Sequence, residues 1–354
     1  MSVTAARDPH ADETGHEGPT TAAEELARRS HTVTQRVQHF VQEHPSISPA
    51  LILVITGIVF NLVNSRFLTQ TTISLLLQQA AVVAALAVGQ TIVILTAGID
   101  LSVGAIAILS AMVMAKVSSD HGVPGVAALA IGIVVAALAG TLNGVLVTRV
   151  KLPPFIVTLG TLSIFTALAL LYTKGRSVQA SAMPALLSWT GKSLSIGSFR
   201  ITTGVLITLG LYLVMGFALS QTAWGRHVYA VGDDADASRL AGIRVSRVLL
   251  SVYITAGVIY GIGAWVLIGR AGAASPNSIT DANLDSITAV VIGGTSLFGG
   301  RGGVTGTLLG ALIVQSFTVG LSLAGVDDQY RLLAVGILVI VAVALDQWIR
   351  QSNA

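Results

Sequence analysis

Four stretches of this sequence place polar or conformationally special residues among neighbours that are almost all apolar. The first is Gly98-Ile99-Asp100-Leu101-Ser102. An aspartate between two apolar runs is expensive in lipid and must face a cavity, a partner or water. A helix break there also frees backbone groups, which need protein partners or a hydrated path. Asp100 is therefore either a polar element on a translocation route or the cap of the helix that follows, where a carboxylate suits exposed N–H groups. The second stretch is Asn143-Gly144, then Lys151-Leu152-Pro153-Pro154-Phe155-Ile156-Val157-Thr158. Proline fits a helix's first turn because its missing N–H would be unpaired there anyway. Asn143 is either an interhelical hydrogen bond or a substrate contact.

The third stretch is Gly232-Asp233-Asp234-Ala235-Asp236-Ala237-Ser238-Arg239-Leu240-Ala241-Gly242-Ile243. An aspartate cap, a few good helix formers and a glycine stop predict a helix of about two turns. So short a helix is unstable alone in water and needs a surface to lie against. A groove on a cytoplasmic partner would supply one. The fourth is Gly293-Gly294-Thr295-Ser296-Leu297-Phe298-Gly299-Gly300-Arg301-Gly302-Gly303. It lacks the phosphate-loop spacing, as does Gly191-Lys192-Ser193, because Leu186 stands where that motif needs glycine. Its glycines suit a flexible turn and close helix crossing. The chain shows no nucleotide site, and no cysteine to hold a metal or act as a nucleophile. Paired histidines, HExxH and paired carboxylates on one helical face are also missing, so neither an enzyme centre, a metal nor a cofactor is expected.

The elements that carry these stretches follow from composition. Of the residues, 53% are hydrophobic and only 10% charged, with a mean hydropathy of +0.78. A soluble domain carries about 25% charged residues, so much of this surface must face something other than water. Glycine is abundant (37) and aromatics scarce at 5%; small residues let helices approach closely in lipid. The expected fold is all-α and polytopic, with about ten transmembrane helices over 50–68, 72–97, 101–118, 124–148, 153–173, 201–221, 248–269, 284–298, 303–323 and 331–348. Broken or short helices are expected near Asp100 and Phe298, the segment ending at Phe298 being a half-helix or re-entrant element. Thr96–Val113 and Gly294–Val314 share a plan of a polar, glycine-containing break followed by an apolar helix, an expected parallel repeat.

Residues 1–48 are polar and read as a cytoplasmic disordered tail, with a short surface helix over Ala22–Gln42. The membrane domain is placed at 49–350, and 351–354 as a cytoplasmic end. The net charge of +3 belongs to loops rather than to nucleic-acid binding. With both termini inside, twelve of the twenty Lys and Arg residues fall in the cytoplasm, densest over 226–247.

These four stretches, in this order, resemble the ribose/xylose/galactose-type permeases of bacterial ABC importers, a branch of the branched-chain amino-acid and sugar permease superfamily. The likeness runs from about residue 50 to 350 and rests on GIDLSVG, NG…PPFIVTLG, GxxxxAxRLxGI and GGTSLFGGxGGxxGT. It implies an inner-membrane subunit that translocates a monosaccharide. Its implied partners are a cytoplasmic ATPase, an extracytoplasmic sugar-binding protein, membrane lipid, and a second permease copy or a paralogue. The resemblance puts ATPase coupling on Gly232, Asp233, Asp234, Ala237, Arg239, Leu240 and Gly242. Asp234 replaces the family's usual asparagine and Ser238 its usual alanine; Asp234 can still cap. The substrate pathway is expected at Gln90, Asp100, Ser102, Asn143, Phe155 and Thr158, with Gln78 and Gln79 as further polar candidates. Loops 174–200 and 270–284 form the expected landing surface for the binding protein. The rival expectation is an ion-coupled secondary transporter using Asp100.

Overall fold

The computed structural model describes residues 47–340, apart from 198, 279–281, 328, 338 and 339. By its contacts the chain divides after His44; the first unit, with the expected tail and the helix at Ala22–Gln42, lies outside the described residues. The helices are α1 Ile47–Val63, α2 Gln70–Leu95, α3 Val103–His121, α4 Gly125–Thr148, α5 Pro154–Thr173, α6 Ala185–Ser188, α7 Thr203–Gln221, α8 Ala223–Asp233, α9 Ala235–Leu240, α10 Val245–Ala271, α11 Ala282–Ile292 and α12 Val304–Leu323. Residues 329–337 are helical as well. Among the described residues seven helices are long and apolar enough to cross a membrane, and α1 and α11 are shorter apolar helices.

Local chemistry sets the ends. Thr69 caps α2 by accepting from the Thr72 N–H, Pro154 opens α5, and Gly122 and Gly272 close α3 and α10 in the left-handed conformation. The first span ends at Val63 rather than 68. Asn64 stops it: its side-chain oxygen accepts from the Arg66 N–H at 3.0 Å, turning the chain, and its side-chain amide donates across to the Leu323 carbonyl at 2.9 Å. The segment expected at 284–298 is the eleven-residue α11 followed by a glycine turn.

Helix α2 occupies the centre, packed against α7, α10, α11 and α12. Every residue from Ala80 to Leu95 is buried, as expected of a helix that is apolar all round. Around it, backbones touch through glycine. Gly140 lies on the Tyr253 carbonyl, Gly257 on that of Ala136, and Gly306 and Gly310 on those of Gly293 and Ala289. In lipid such close packing replaces the hydrophobic effect as the force between helices. By contrast α4, α5 and α7 each keep an exposed apolar face, including Leu138, Phe155, Leu168, Leu213 and Phe217. A polar contact joins the centre to α12: the Thr91 and Thr307 hydroxyls are 2.8 Å apart and buried. Thr91→Val is expected to lower the free energy of unfolding in detergent by about 0.6 kcal/mol, measurable by reversible denaturation.

Two small antiparallel pairs complete the fold. β1 Val178–Gln179 pairs with β4 Ala273–Ala274, and β2 Ser193–Ile196 with β3 Phe199–Thr202. The first pair joins the 174–200 and 270–284 loops that were expected to form one surface.

Candidate functional site

Helix α2 ends in a Schellman arrangement: Gly98 N–H donates to the Val93 carbonyl at 3.1 Å and Ala97 N–H to Ile94 at 2.9 Å. The left-handed residue that this turn requires is Ala97, at φ 59°, where an L side chain costs about 1 kcal/mol. The chain then runs through Ile99 to Asp100, and α3 begins at Val103, two residues beyond the expected start. Asp100 Oδ1 accepts from Ser102 N–H at 2.8 Å and Ser102 Oγ–H at 2.6 Å. Ser102 Oγ accepts in turn from Asn143 Nδ2 on α4, at 2.8 Å. The Thr158 hydroxyl on α5 lies 2.9 Å from the Ile99 carbonyl and donates towards it. Gln90 Oε1 faces the Tyr260 hydroxyl of α10 at 3.5 Å.

Five of the six expected pathway residues therefore meet around the break between α2 and α3. Gln90, Ser102, Asn143 and Thr158 have no solvent exposure and Asp100 has 1%. Phe155 lies apart, 50% exposed on α5. Of the further candidates, Gln78 reaches the Arg200 carbonyl at 3.5 Å, and Gln79 lines a separate small pocket with Thr72 and Arg331. Four polar atoms at the break are buried without a hydrogen-bond partner: Gln90 Nε2, Asp100 Oδ2, Asn143 Oδ1 and Tyr253 OH.

Three contributors lie outside the sequence-based expectations. Tyr253 and Tyr260 sit seven residues apart in α10, so two helical turns put them on one face; that spacing was the available signal. Asn283 of α11 accepts from the Gly104 N–H at 2.7 Å, capping α3 from a segment 179 residues away. No local pattern marks it.

A second cluster lies at the other side of the break. Gly300 N–H donates to the Leu95 carbonyl at 3.0 Å. Gly232 packs so closely on both that an added Cβ would be driven into the Leu95 carbonyl. Gly299, at φ 85°, seats against the Gly232 carbonyl and Ala97. The Tyr229 hydroxyl donates to the Gly302 carbonyl at 2.9 Å, and burial pushes its pKa up, which keeps it a donor. The end of α8, the end of α2 and the 293–303 turn thus form one junction.

From that junction α9 projects. Of the expected coupling residues, Gly232 and Asp233 belong to α8, and the helix itself spans Ala235–Leu240. Asp234 caps it, Oδ1 accepting from Asp236 N–H at 2.8 Å and Ala237 N–H at 2.9 Å. Arg239 pairs with Asp236 at 2.7 Å; both are exposed, so the pair contributes little. Gly242, at φ 85°, ends the turn. Ser238 is buried and Ala235 packs partly against the core, whereas Asp236, Ala237 and Arg239 are exposed and Leu240 is 91% exposed.

A core of membrane-length helices around a fully buried centre, a broken helix at a polar interior and a short projecting helix together define an all-α, polytopic transport component of a membrane. Residues 72–343 match the family described as branched-chain amino acid transport system / permease component, and the chain belongs to that family. It is 46% identical over 327 residues to the fructose import permease protein FrcC of Rhizobium meliloti, covering 91% of each chain. It is 38% identical to the ribose import permease protein RbsC of Bacillus subtilis, over 88% of this chain and 96% of that one. With the D-allose transport system permease protein AlsC of Escherichia coli the identity is 34%, over 84% and 90% of the two chains. No solved structure matches.

Proposed function

We propose that this protein is the membrane-spanning permease of an ATP-driven bacterial importer that moves a monosaccharide across the inner membrane, with both termini in the cytoplasm. The observation that carries this reading is α9. A capped helix of six residues leaves a leucine 91% exposed on an element clamped to the broken central helix. An apolar side chain held out from a rigid mount suits the groove of a partner, and the partner proposed is a cytoplasmic ATP-binding-cassette ATPase. Gly232, Asp233 and Asp234 form the mount; Ala237, Arg239 and Leu240 form the face presented, and Gly242 ends it.

On the opposite side the paired β1 and β4, together with the 174–200 loop, offer the surface for a sugar-binding protein. The substrate route is assigned to Phe155, exposed on α5, and to Gln90, Asp100, Ser102, Asn143 and Thr158 behind it. In a single closed chain those five are sealed, so sugar reaches them only when α3, α4 and α5 separate. A second copy of this permease, or a paralogue, supplies the facing wall. Aromatics make up only 5% of the chain, which favours weak binding and quick release; capture at high affinity belongs to the binding protein. Among sugars, fructose is the first candidate and ribose and allose the next, from the relatives' names.

The test is uptake into proteoliposomes. Labelled fructose, ribose and allose are expected to enter only when permease, ATPase, binding protein and ATP are all present. Uptake driven by a sodium or proton gradient, without ATPase or binding protein, would overturn the proposal in favour of an ion-coupled carrier using Asp100.

A further inference from the structure

The four unpartnered atoms at the break between α2 and α3 are not scattered. With Asp100 ionised, proton counting fixes how they point. Ser102 has one hydroxyl proton, which it donates to Asp100 Oδ1 at 2.6 Å. Its oxygen must therefore accept from Asn143, so the amide turns Nδ2 towards Ser102 at 2.8 Å and leaves Oδ1 directed elsewhere. Asp100 Oδ2 is likewise left over, because Oδ1 takes both Ser102 bonds. The Tyr253 hydroxyl, on a residue 1% exposed, has no partner either. It stands over Gly98, 3.2 Å from where a Cβ on that glycine would sit.

The charge is also unbalanced. Lys116 pairs with Asp120 and Arg239 with Asp236, and among the described residues no basic side chain pairs with Asp100. Water could complete the hydrogen bonds, but an uncompensated buried carboxylate is costly, so either a proton or a cation must neutralise it. The leftover acceptors are hard oxygens, with no histidine and no thiolate among them, so soft or borderline transition metals are disfavoured. The unwound segment carries the negative end of the α2 dipole, an arrangement that suits small cations inside membranes, beside the positive start of α3, whose Ser102 N–H Asp100 already engages. One carboxylate carries one negative charge, which a monovalent ion balances and a divalent ion would exceed.

We propose that Asp100 Oδ2, Asn143 Oδ1 and the Tyr253 hydroxyl form an internal binding site for a hard monovalent cation of sodium size. The ion ties the broken end of α2 to α4 and α10, directly behind the junction that carries α9. The site shares Asp100 and Asn143 with the route proposed above, and its test is ion binding in the absence of sugar and ATP.

Binding of ²²Na⁺ to the purified full-length permease in nanodiscs tests this. Wild-type protein is expected to bind the isotope saturably, and unlabelled sodium to displace it while choline at equal ionic strength does not. Asp100→Asn should weaken binding at least about tenfold, whereas Asp120→Asn, at the surface pair with Lys116, should leave it unchanged. Absence of saturable binding by the wild-type protein overturns the proposal and means that a proton neutralises Asp100; this outcome does not depend on whether the variant folds. Binding that survives Asp100→Asn at full strength also overturns it, by placing the ion elsewhere.

Discussion

Leu240→Asp is expected to reduce ATP-driven sugar uptake by about 30-fold while the permease still inserts, purifies and melts like the wild type. The two halves of that result come from one fact. At 91% exposure, Leu240 contributes almost no packing to its own chain, so replacing it costs the fold nothing. If its place is in an ATPase groove, an aspartate there must be desolvated without a partner. An anchor of this kind is worth about 2 kcal/mol or more at an interface, which corresponds to about 30-fold in affinity. Uptake measured in proteoliposomes, beside a pull-down of the ATPase on the same preparation, separates docking from folding. Normal uptake and normal ATPase retention by Leu240→Asp would remove α9 as the coupling element.

Gly232→Val is expected to act in the opposite way, through the chain's own structure. The new side chain meets the Leu95 carbonyl and the Gly300 N–H, both backbone groups, which cannot swing aside as a flexible side chain could. The 3.0 Å bond between Gly300 and Leu95 would have to open. Overpacking of a tight contact costs typically 1–3 kcal/mol, and here a cost of about 3 kcal/mol is expected, with loss of transport. Gly210→Val is the matched control. Gly210 lies in α7, a Cβ there meets nothing within 4 Å, and uptake should be unchanged. The comparison is read by thermal unfolding in detergent and by uptake. A wild-type melting curve for Gly232→Val would show that the junction is not tight.

Much of this architecture is legible in the amino-acid sequence. Runs of apolar residues of bilayer length need no tertiary information, because every backbone group in a helix is paired within it. Nine of the ten expected spans accordingly recur as helices, with ends shifted by a few residues where a cap or turn intervenes: Asn64 ends α1 early, and the Schellman turn at Ala97 ends α2. Most of the tenth, 331–348, and the end at 351–354 lie outside the described residues. The α9 helix is equally visible, since Asp234 and Gly242 act on their immediate neighbours. Its expected start at Gly232 is less so. Gly232 looks like a breaker in one dimension, but α8 runs through it because another backbone lies against it.

The interior cluster divides along the same line. Asp100 and Ser102 are two residues apart, and their bond is local. Asn143 joins them from 41 residues beyond Ser102, and Asn283 reaches Gly104 across 179. Neither pairing leaves a periodic trace. Residue type also could not separate Phe155 from Thr158, three positions apart. They lie within about 60° of each other around the helix, yet one is 50% exposed and the other fully enclosed, because only packing decides where the covered face ends.

The sequence by itself determined that this chain lives in a membrane, roughly where its helices lie, where two of them break, and that a short capped helix projects between two spans. Each of those properties depends on composition or on residues a turn or two apart. Only the tertiary structure decided which helix is central, which polar residues share an interior, and that the mount of α9 touches the broken end of α2. Those depend on the rotation of each helix about its axis and on backbones meeting at glycine, which are set by packing between segments far apart in the chain.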